Sequence, residues 1–119
     1  MAPGLRHRAV NLLRAHLEHY TQPMLPSQAL SLHRNRIREI ALSHRVSNVR
    51  VFGSALHGDE AEGSDLDLLV EPTEQTTLFD IGAIRFELKN LLGIEVDVLT
   101  PNGLPQKFRE QVLREAVAV

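Results

Sequence analysis

Two neighbouring stretches of sequence decide the fold, Gly53-Ser54-Ala55-Leu56-His57-Gly58 and Ser64-Asp65-Leu66-Asp67-Leu68-Leu69-Val70. The first predicts a tight turn at the end of a strand, and the second predicts the strand that follows. Because successive side chains of a strand point to opposite faces, Asp65 and Asp67 share one face, and alternate apolar residues share the other. Two carboxylates held side by side repel one another unless a cation lies between them, which predicts a metal site.

The chemistry predicted from these two stretches is phosphoryl or nucleotidyl transfer. Mg²⁺ is the expected cation, because it binds one or two protein carboxylates and completes its shell with water and substrate phosphates. The Gly53-Ser54 turn offers backbone N–H groups and a hydroxyl to an anion. The alternative interpretation of Asp65 and Asp67 is an acidic strand edge that discourages aggregation.

A third carboxylate, Asp97, lies in the stretch Ile94-Glu95-Val96-Asp97-Val98-Leu99, whose alternation predicts another half-buried strand. If this strand neighbours the strand of Asp67, Asp97 emerges on the same side of the sheet as Asp65 and Asp67. Three converging carboxylates can hold two divalent ions, one activating an attacking hydroxyl and the other neutralising a leaving pyrophosphate. A register error of one residue would instead give the place of Asp97 to a neighbouring valine.

These stretches together resemble the polymerase-β-like nucleotidyltransferases, and in particular their minimal nucleotidyltransferase (MNT) branch. The resemblance covers roughly residues 31–119 and leaves residues 1–30 as an N-terminal helical extension. It implies that Gly53 and Ser54 hold the nucleotide phosphates and that Asp65 and Asp67 bind metal. It further implies that Asp97 completes the metal site and helps to deprotonate the acceptor.

The resemblance also implies a partner. Many MNT proteins are antitoxins paired with a HEPN-domain ribonuclease toxin, and they add adenylyl groups from ATP to a toxin tyrosine. The expected protein is therefore a Mg²⁺-dependent protein adenylyltransferase with two Mg²⁺ ions, ATP as substrate and a HEPN toxin as partner. One alternative is an antitoxin of weak or absent activity that masks the toxin by binding. A second is a small-molecule nucleotidyltransferase, acting for instance on an aminoglycoside.

His57 departs from the family pattern, since members commonly carry Arg at this position of the turn. Arg is always charged and can form a bidentate pair with phosphate, whereas His is largely neutral at pH 7. The loop that follows, residues 58–63, is acidic and would repel a triphosphate not covered by metal. We therefore expect weak or absent activity, and we expect His57→Arg to strengthen the use of ATP.

Composition narrows the class of protein. With 119 residues and no cysteine, the chain is expected to be one domain without disulfides, thiolate metal sites or a separate acceptor-binding domain. Since no apolar run approaches the ~20 residues of a membrane span, we expect a cytoplasmic protein without membrane contact. One Tyr and four Phe leave no platform for stacking bases, so direct RNA binding is not expected.

The charge is unevenly distributed. Residues 1–50 carry eight Arg against two Glu, whereas residues 51–119 carry thirteen acidic and five basic side chains. The basic half either contacts RNA or an acidic partner, or balances the acidic half of the same molecule.

Arg34 and Arg38 share one helical face, interpreted as a solvated face or as a partner contact. For His16 and His19, at i, i+3 on a helix, a structural or solvated role is favoured over metal binding.

Hydrophobic periodicity predicts an α/β fold, a short mixed three-stranded sheet packed with helices. Strands are expected at residues 48–52, 64–70 and 94–99. Helices are expected near residues 5–17, from 28 or 30 to 44, from 77 or 78 to 92 where Gly93 ends the helix, and near 105–116. The residues expected to face inward from the last three helices are Leu30, Ile37, Ile40, Ala41, Leu78, Ile81, Ile84, Leu88, Leu91, Phe108, Val112 and Ala116.

Overall fold

The computed structural model describes residues 24–119, so the helix predicted near residues 5–17, with His16 and His19, lies outside the described residues. The first described helix, α1 (Pro26–Leu42), begins at a proline, whose fixed φ suits a first helical turn. Helix α1 continues across residue 30, and the division of the chain at that residue stays a prediction. Within residues 24–119, no helix is both long and apolar enough to cross a bilayer.

Four strands form one mixed sheet: β1 (Val46–Phe52), β2 (Leu66–Pro72), β3 (Val96–Leu99) and β4 (Val117–Ala118). Their order is β3-β2-β1-β4, with β2 and β3 parallel and the other two pairs antiparallel. A parallel pair needs a crossover connection, which helix α3 (Leu78–Leu92) supplies; the short helix α2 (Ser54–His57) follows β1. The mixed α/β fold is confirmed. The prediction missed β4, because two residues are too few to show an alternation.

One face of the sheet carries the main hydrophobic core, against which α1 and α3 pack. The alternate apolar residues predicted to share a face all lie in this core, together with valines of β1: Leu66, Leu68, Val70, Val96, Val98, Val49 and Val51. The inward residues predicted for α1 are buried as well: Leu30, Ile37, Ile40 and Ala41. The opposite face of the sheet is therefore the one that carries the aspartates.

The prediction that Leu78 and Leu91 face inward is wrong, because their side chains are 88% and 37% exposed. The inward positions predicted for Ile84 and Leu88 are confirmed, and helix α3 buries Leu92 with them, at a spacing of four residues. Leu92 thereby takes the place expected for Leu91.

The prediction that Phe108 is buried in the core is also wrong, because its side chain is 50% exposed. Phe108 belongs to α4 (Gln106–Glu115), a helix without any fully buried residue, and Val112 and the following Ala116 are only partly buried. This helix lines the cleft described below instead of covering the main core.

Candidate functional site

Gly53 connects β1 to α2 with φ 80° and ψ −152°, a backbone conformation that residues with a Cβ rarely adopt. Its carbonyl accepts hydrogen bonds from the N–H groups of Leu56 and His57, at 3.0 and 3.3 Å, at the start of α2. A Cβ at this position would lie 3.1 Å from Cγ of Asp67 and would overlap its Oδ2. The turn therefore requires glycine because it passes directly over Asp67.

The three predicted aspartates lie at one edge of the sheet. Asp67 of β2 and Asp97 of β3 are direct partners in the parallel register. Asp65 is exposed and lies just before β2. Burial first, and then the charges of Asp97 and Asp65, raise the pKa of Asp67 from 3.8 to about 6. Its two neighbouring carboxylates thus disfavour the ionised form of Asp67, a cost that a bound cation would relieve.

The donor chemistry of this edge fits a hard divalent cation, since Mg²⁺ prefers oxygen ligands. Among residues 24–119, no three acidic or histidine side chains converge closely enough to enclose a metal ion by themselves. Mg²⁺ needs only one or two protein carboxylates when water and phosphate oxygens complete its octahedral shell. Asp67 and Asp97 are the pair that the register brings together, and Asp65 adds a third charge close by.

A cleft of about 450 Å³ opens beside this pair, a size within the range of small-molecule sites. Gly53, Asp67 and Asp97 line it, whereas Ser54 and Asp65 do not. Helix α4 and the segment before it contribute the apolar residues Leu104, Pro105, Phe108 and Val112 to its wall, and β1 and β3 add Phe52 and Leu99. Sequence reasoning missed this wall, because an apolar residue that lines a cleft has the same helical spacing as one that lies in a core.

A larger hollow of about 920 Å³ lies between α1 and α3. Its lining includes Arg36, Glu39 and Glu87 but none of the predicted site residues. The paired aspartates lie instead in the smaller cleft, which is therefore the candidate active site.

His57, the last residue of α2, pairs with the last residue of α4. Its Nε2 lies 3.0 Å from Oε2 of Glu115, and the two side chains are 47% and 37% exposed. Both line the cleft, where His57 is the one lining side chain among the described residues that can carry a positive charge. No motif marks Glu115 in the sequence, since only the fold brings residues 57 and 115 together.

The acidic loop of residues 58–63 is partly tied to α1. The carboxylate of Glu60 accepts hydrogen bonds from the backbone N–H of Ser27, at 2.9 Å, and from the Ser27 hydroxyl. Ser27 lies in the first turn of α1, where a negative charge is favoured by the helix dipole. The charge of Glu60 is thus engaged by the helix, which weakens the expectation that the whole loop repels a triphosphate.

Arg34 and Arg38 share one face of α1, and both reach the backbone beyond α4. Arg38 donates from Nε and Nη2 to the carbonyl oxygen of Val119 at 2.8 and 2.6 Å. Arg34 donates from Nη1 to the carbonyl of Ala118 at 3.3 Å. Arg34 and Arg38 thus make contacts within the same molecule, an outcome that differs from a purely solvated face.

Residues 31–119 match a sequence profile described as a nucleotidyltransferase domain. The chain belongs to this family. A relative from Methanocaldococcus jannaschii, provisionally named a protein adenylyltransferase, is 40% identical over 86 residues, which cover 72% of this chain and 92% of the relative. The protein adenylyltransferase MntA of Thermococcus cleftensis is 34% identical over 90 residues, covering 76% of this chain and 88% of its own length.

Solved structures agree with this assignment. One, provisionally described as a minimal nucleotidyltransferase, aligns with a TM-score of 0.72 at 39% identity, over 82% of this chain and 100% of that chain. A chain from a toxin–antitoxin crystal structure with AMP-PNP aligns with a TM-score of 0.60 at 19% identity, over 71% and 69% of the two chains. The second likeness shows a shared fold. The predicted resemblance to minimal nucleotidyltransferases is confirmed.

Proposed function

We propose that this chain transfers AMP from ATP to a tyrosine of a HEPN-type ribonuclease toxin and thereby acts as its antitoxin. The observation that carries the proposal is the pairing of Asp67 with Asp97 under the Gly53 turn, beside a cleft of about 450 Å³. The two relatives named as protein adenylyltransferases, at 40% and 34% identity, support adenylate as the transferred group. The HEPN partner rests on the resemblance to MNT proteins.

Each predicted site residue has a role in this proposal. Gly53 and Ser54 hold the nucleotide phosphates, with Gly53 allowing the backbone to approach Asp67 closely. Asp67 and Asp97, assisted by Asp65, hold Mg²⁺. When bound, Mg²⁺ would neutralise phosphate charge and would lower the pKa of the attacking hydroxyl.

The proposed reaction is a single displacement at the α-phosphorus of ATP. The phenolic oxygen of the acceptor tyrosine forms a bond to this phosphorus while the bond from phosphorus to the oxygen bridging the β-phosphate breaks. Pyrophosphate leaves with that bridging oxygen, and the phenolic proton passes to the carboxylate of Asp97. Burial first, and then the negative charges of Asp97 and Asp65, raise the pKa of Asp67 and so favour the uptake of a proton or a cation by its carboxylate.

A folded protein is the acceptor that fits this site best. Positioning is most of the work in phosphoryl transfer, because there is little covalent chemistry for an enzyme to supply. The described residues build one sheet and the helices around it, and a folded acceptor would bring its own docking surface to the cleft. AMP adds charge and bulk near the RNA-binding site of a ribonuclease, which would block that site by repulsion and sterics.

A second candidate function is favoured by the pair of His57 and Glu115. Among the described residues of the cleft, the one side chain that can carry a positive charge is already engaged by a carboxylate. Weak nucleotide binding would follow, and the chain would then neutralise its toxin by masking alone.

Intact-mass measurement separates these functions. The purified chain is incubated with Mg²⁺, each NTP in turn, and a neighbouring gene product that carries an Arg-x-x-x-x-His ribonuclease motif. We expect the partner to gain one or more AMP masses on tyrosine with ATP alone. We also expect co-expression of the chain to relieve the partner's toxicity.

The double variant Asp65→Asn with Asp67→Asn is the inactive comparison, and Asp59→Asn, a carboxylate exposed on the acidic loop, is the matched control. Loss of the mass gain together with loss of relief supports catalysis. Equal relief by the double variant without any mass gain identifies a masking antitoxin. Failure to bind the partner refutes the antitoxin function, and transfer to an aminoglycoside would indicate a small-molecule enzyme.

A further inference from the structure

The structure holds Glu115 firmly against the cleft. Residues after it enter β4, where Val117 and Ala118 pair with Val51 and Arg50 of β1. The N–H of Val119 donates to the carbonyl of Val49 at 3.2 Å. Glu115, the last residue of α4, is therefore fixed at the point where the chain passes from this helix into the sheet.

Arg38 strengthens this anchorage through its two hydrogen bonds to the Val119 carbonyl, at 2.8 and 2.6 Å. The last turn of α4, which contains Glu115, is closed by the hydrogen bond from the Ala116 N–H to the Val112 carbonyl at 2.9 Å. At this anchored position, Oε2 of Glu115 lies 3.0 Å from His57 Nε2.

We propose that Glu115 competes with the nucleotide phosphates for His57 and so sets the affinity of the cleft for ATP. This inference rests on the proposed nucleotide-binding role of the cleft. His57 can turn its Nε2 to Glu115 or to a phosphate oxygen, but one ring nitrogen cannot serve both with full strength. ATP entry exchanges the pair of His57 and Glu115 for a pair of His57 and phosphate, and it leaves the Glu115 carboxylate near the anion.

The negative charge of the cleft increases the effect of this competition on ATP binding. Asp67, Asp97 and Glu115 line the cleft together with His57, so a triphosphate meets three carboxylates. A cation can neutralise the two paired aspartates, whereas Glu115 belongs to a different wall and remains as a separate negative charge. Glu115 is thus a positioning residue for His57 that acts on binding and leaves the bond-breaking step to other groups.

Glu115→Gln is the decisive variant, because it keeps the size and a hydrogen-bonding end while removing the charge. We expect the dissociation constant for ATP with Mg²⁺, measured by calorimetry, to fall roughly two- to fivefold, the range of a partly exposed ion pair. The KM for ATP in partner adenylylation should fall by the same factor while kcat stays constant. Glu110→Gln is the matched control, since Glu110 lies on the same helix, is 91% exposed and does not line the cleft.

A second background distinguishes competition from simple repulsion. In a His57→Gln chain no imidazole is shared, so Glu115→Gln should improve ATP binding by a smaller factor than it does in the natural sequence. An equal gain in both backgrounds overturns the competition and leaves repulsion alone. Thermal unfolding of every variant checks that the fold is retained.

Failure of this inference is distinguishable from failure of the proposed function. If the natural chain binds ATP with Mg²⁺ and Glu115→Gln binds it no better than Glu110→Gln does, the role of Glu115 is refuted and the nucleotide site stands. If neither the natural chain nor any variant binds ATP or modifies the partner, the proposed function fails and the role of Glu115 falls with it.

Discussion

At the scale of single residues, Asp67 carries a conflict between folding and the proposed chemistry. It is partly buried under the Gly53 turn and lies in register with Asp97, and its pKa is raised to about 6. Ionisation of this carboxylate therefore costs more free energy in the folded chain than in the unfolded chain. Such perturbed carboxylates cluster at functional sites, because a site prepared for a cation must hold negative charge before the cation arrives.

We predict that, without divalent cations, the natural chain gains stability relative to Asp67→Asn as the pH falls from about 7 to about 4. The folded-state pKa of about 6 lies above the unfolded value of 3.8, so the folded chain takes up the proton first. The penalty of the ionised carboxylate is full above that folded pKa and disappears as the pH falls through the window between the two values. Urea unfolding in the presence of a chelator measures the effect, with Asp59→Asn as control. Parallel pH profiles for the natural chain and Asp67→Asn would contradict the raised pKa.

The pair of His57 and Glu115 changes what is expected of His57→Arg. An Arg at position 57 would form a strong pair with the Glu115 carboxylate, so the single variant should change the KM for ATP little. Combined with Glu115→Gln, the same Arg is free to bind phosphate. A charge-assisted hydrogen bond of ~1.5–3 kcal/mol then lowers KM roughly ten- to a hundredfold. Steady-state adenylylation at varied ATP measures it, and a full gain in the single variant would show that Glu115 does not hold the Arg.

At the scale of elements, the sequence reveals strands better than it reveals what covers them. Alternation in residues 66–70 and 96–98 identifies both the core face and the face of Asp67 and Asp97, because a strand displays its two faces directly. Helix α4 shows only an apolar stripe, and nothing in that stripe tells whether it meets a core or a cleft. The strand β4 is invisible for a different reason, since its pairing depends on where α4 ends.

Helix α3 offers a test of a single helix terminus. Thr77 Oγ1 accepts from the Asp80 N–H at 3.3 Å, and Asp80 Oδ2 accepts from the Thr77 N–H at 2.8 Å, which forms a capping box. The hydrogen bond from the Thr77 backbone is the main cause that lowers the pKa of Asp80. Thr77→Ala should reduce the free energy of unfolding by ~1 kcal/mol in urea titrations. Thr77→Ser, which keeps the hydroxyl, should restore most of it; equal losses in both variants would show that the cap does not act through the hydroxyl.

At the scale of the whole molecule, elements from both ends of the described residues 24–119 support the segments that form the cleft. The beginning of α1 holds Glu60 of the acidic loop, and Arg38 of the same helix holds Val119 next to β4. The site residues come from β1, β2, β3 and α4, which are separated by up to about half the sequence. Sequence reasoning could find the aspartates because each lies in its own alternating stretch. It could not find Glu115, whose relation to His57 exists only after the sheet has closed.

Removing the clustered charges of Asp65 and Asp67 should leave the stability of the whole fold unchanged or slightly higher. We predict that the double variant Asp65→Asn with Asp67→Asn melts at the same or a slightly higher temperature than the natural chain without metal, because two mutually repelling charges are gone.

Mg²⁺ with ATP should raise the melting temperature of the natural chain by mass action, since ligands that bind only the folded state stabilise it. The double variant should lose this rise while remaining folded. A variant that collapses would make the two aspartates structural, and a rise that persists would place the metal on other groups. A folded variant that melts at a higher temperature without metal and lacks the rise would mean that these carboxylates cost stability in the free chain and are compensated when the cation binds.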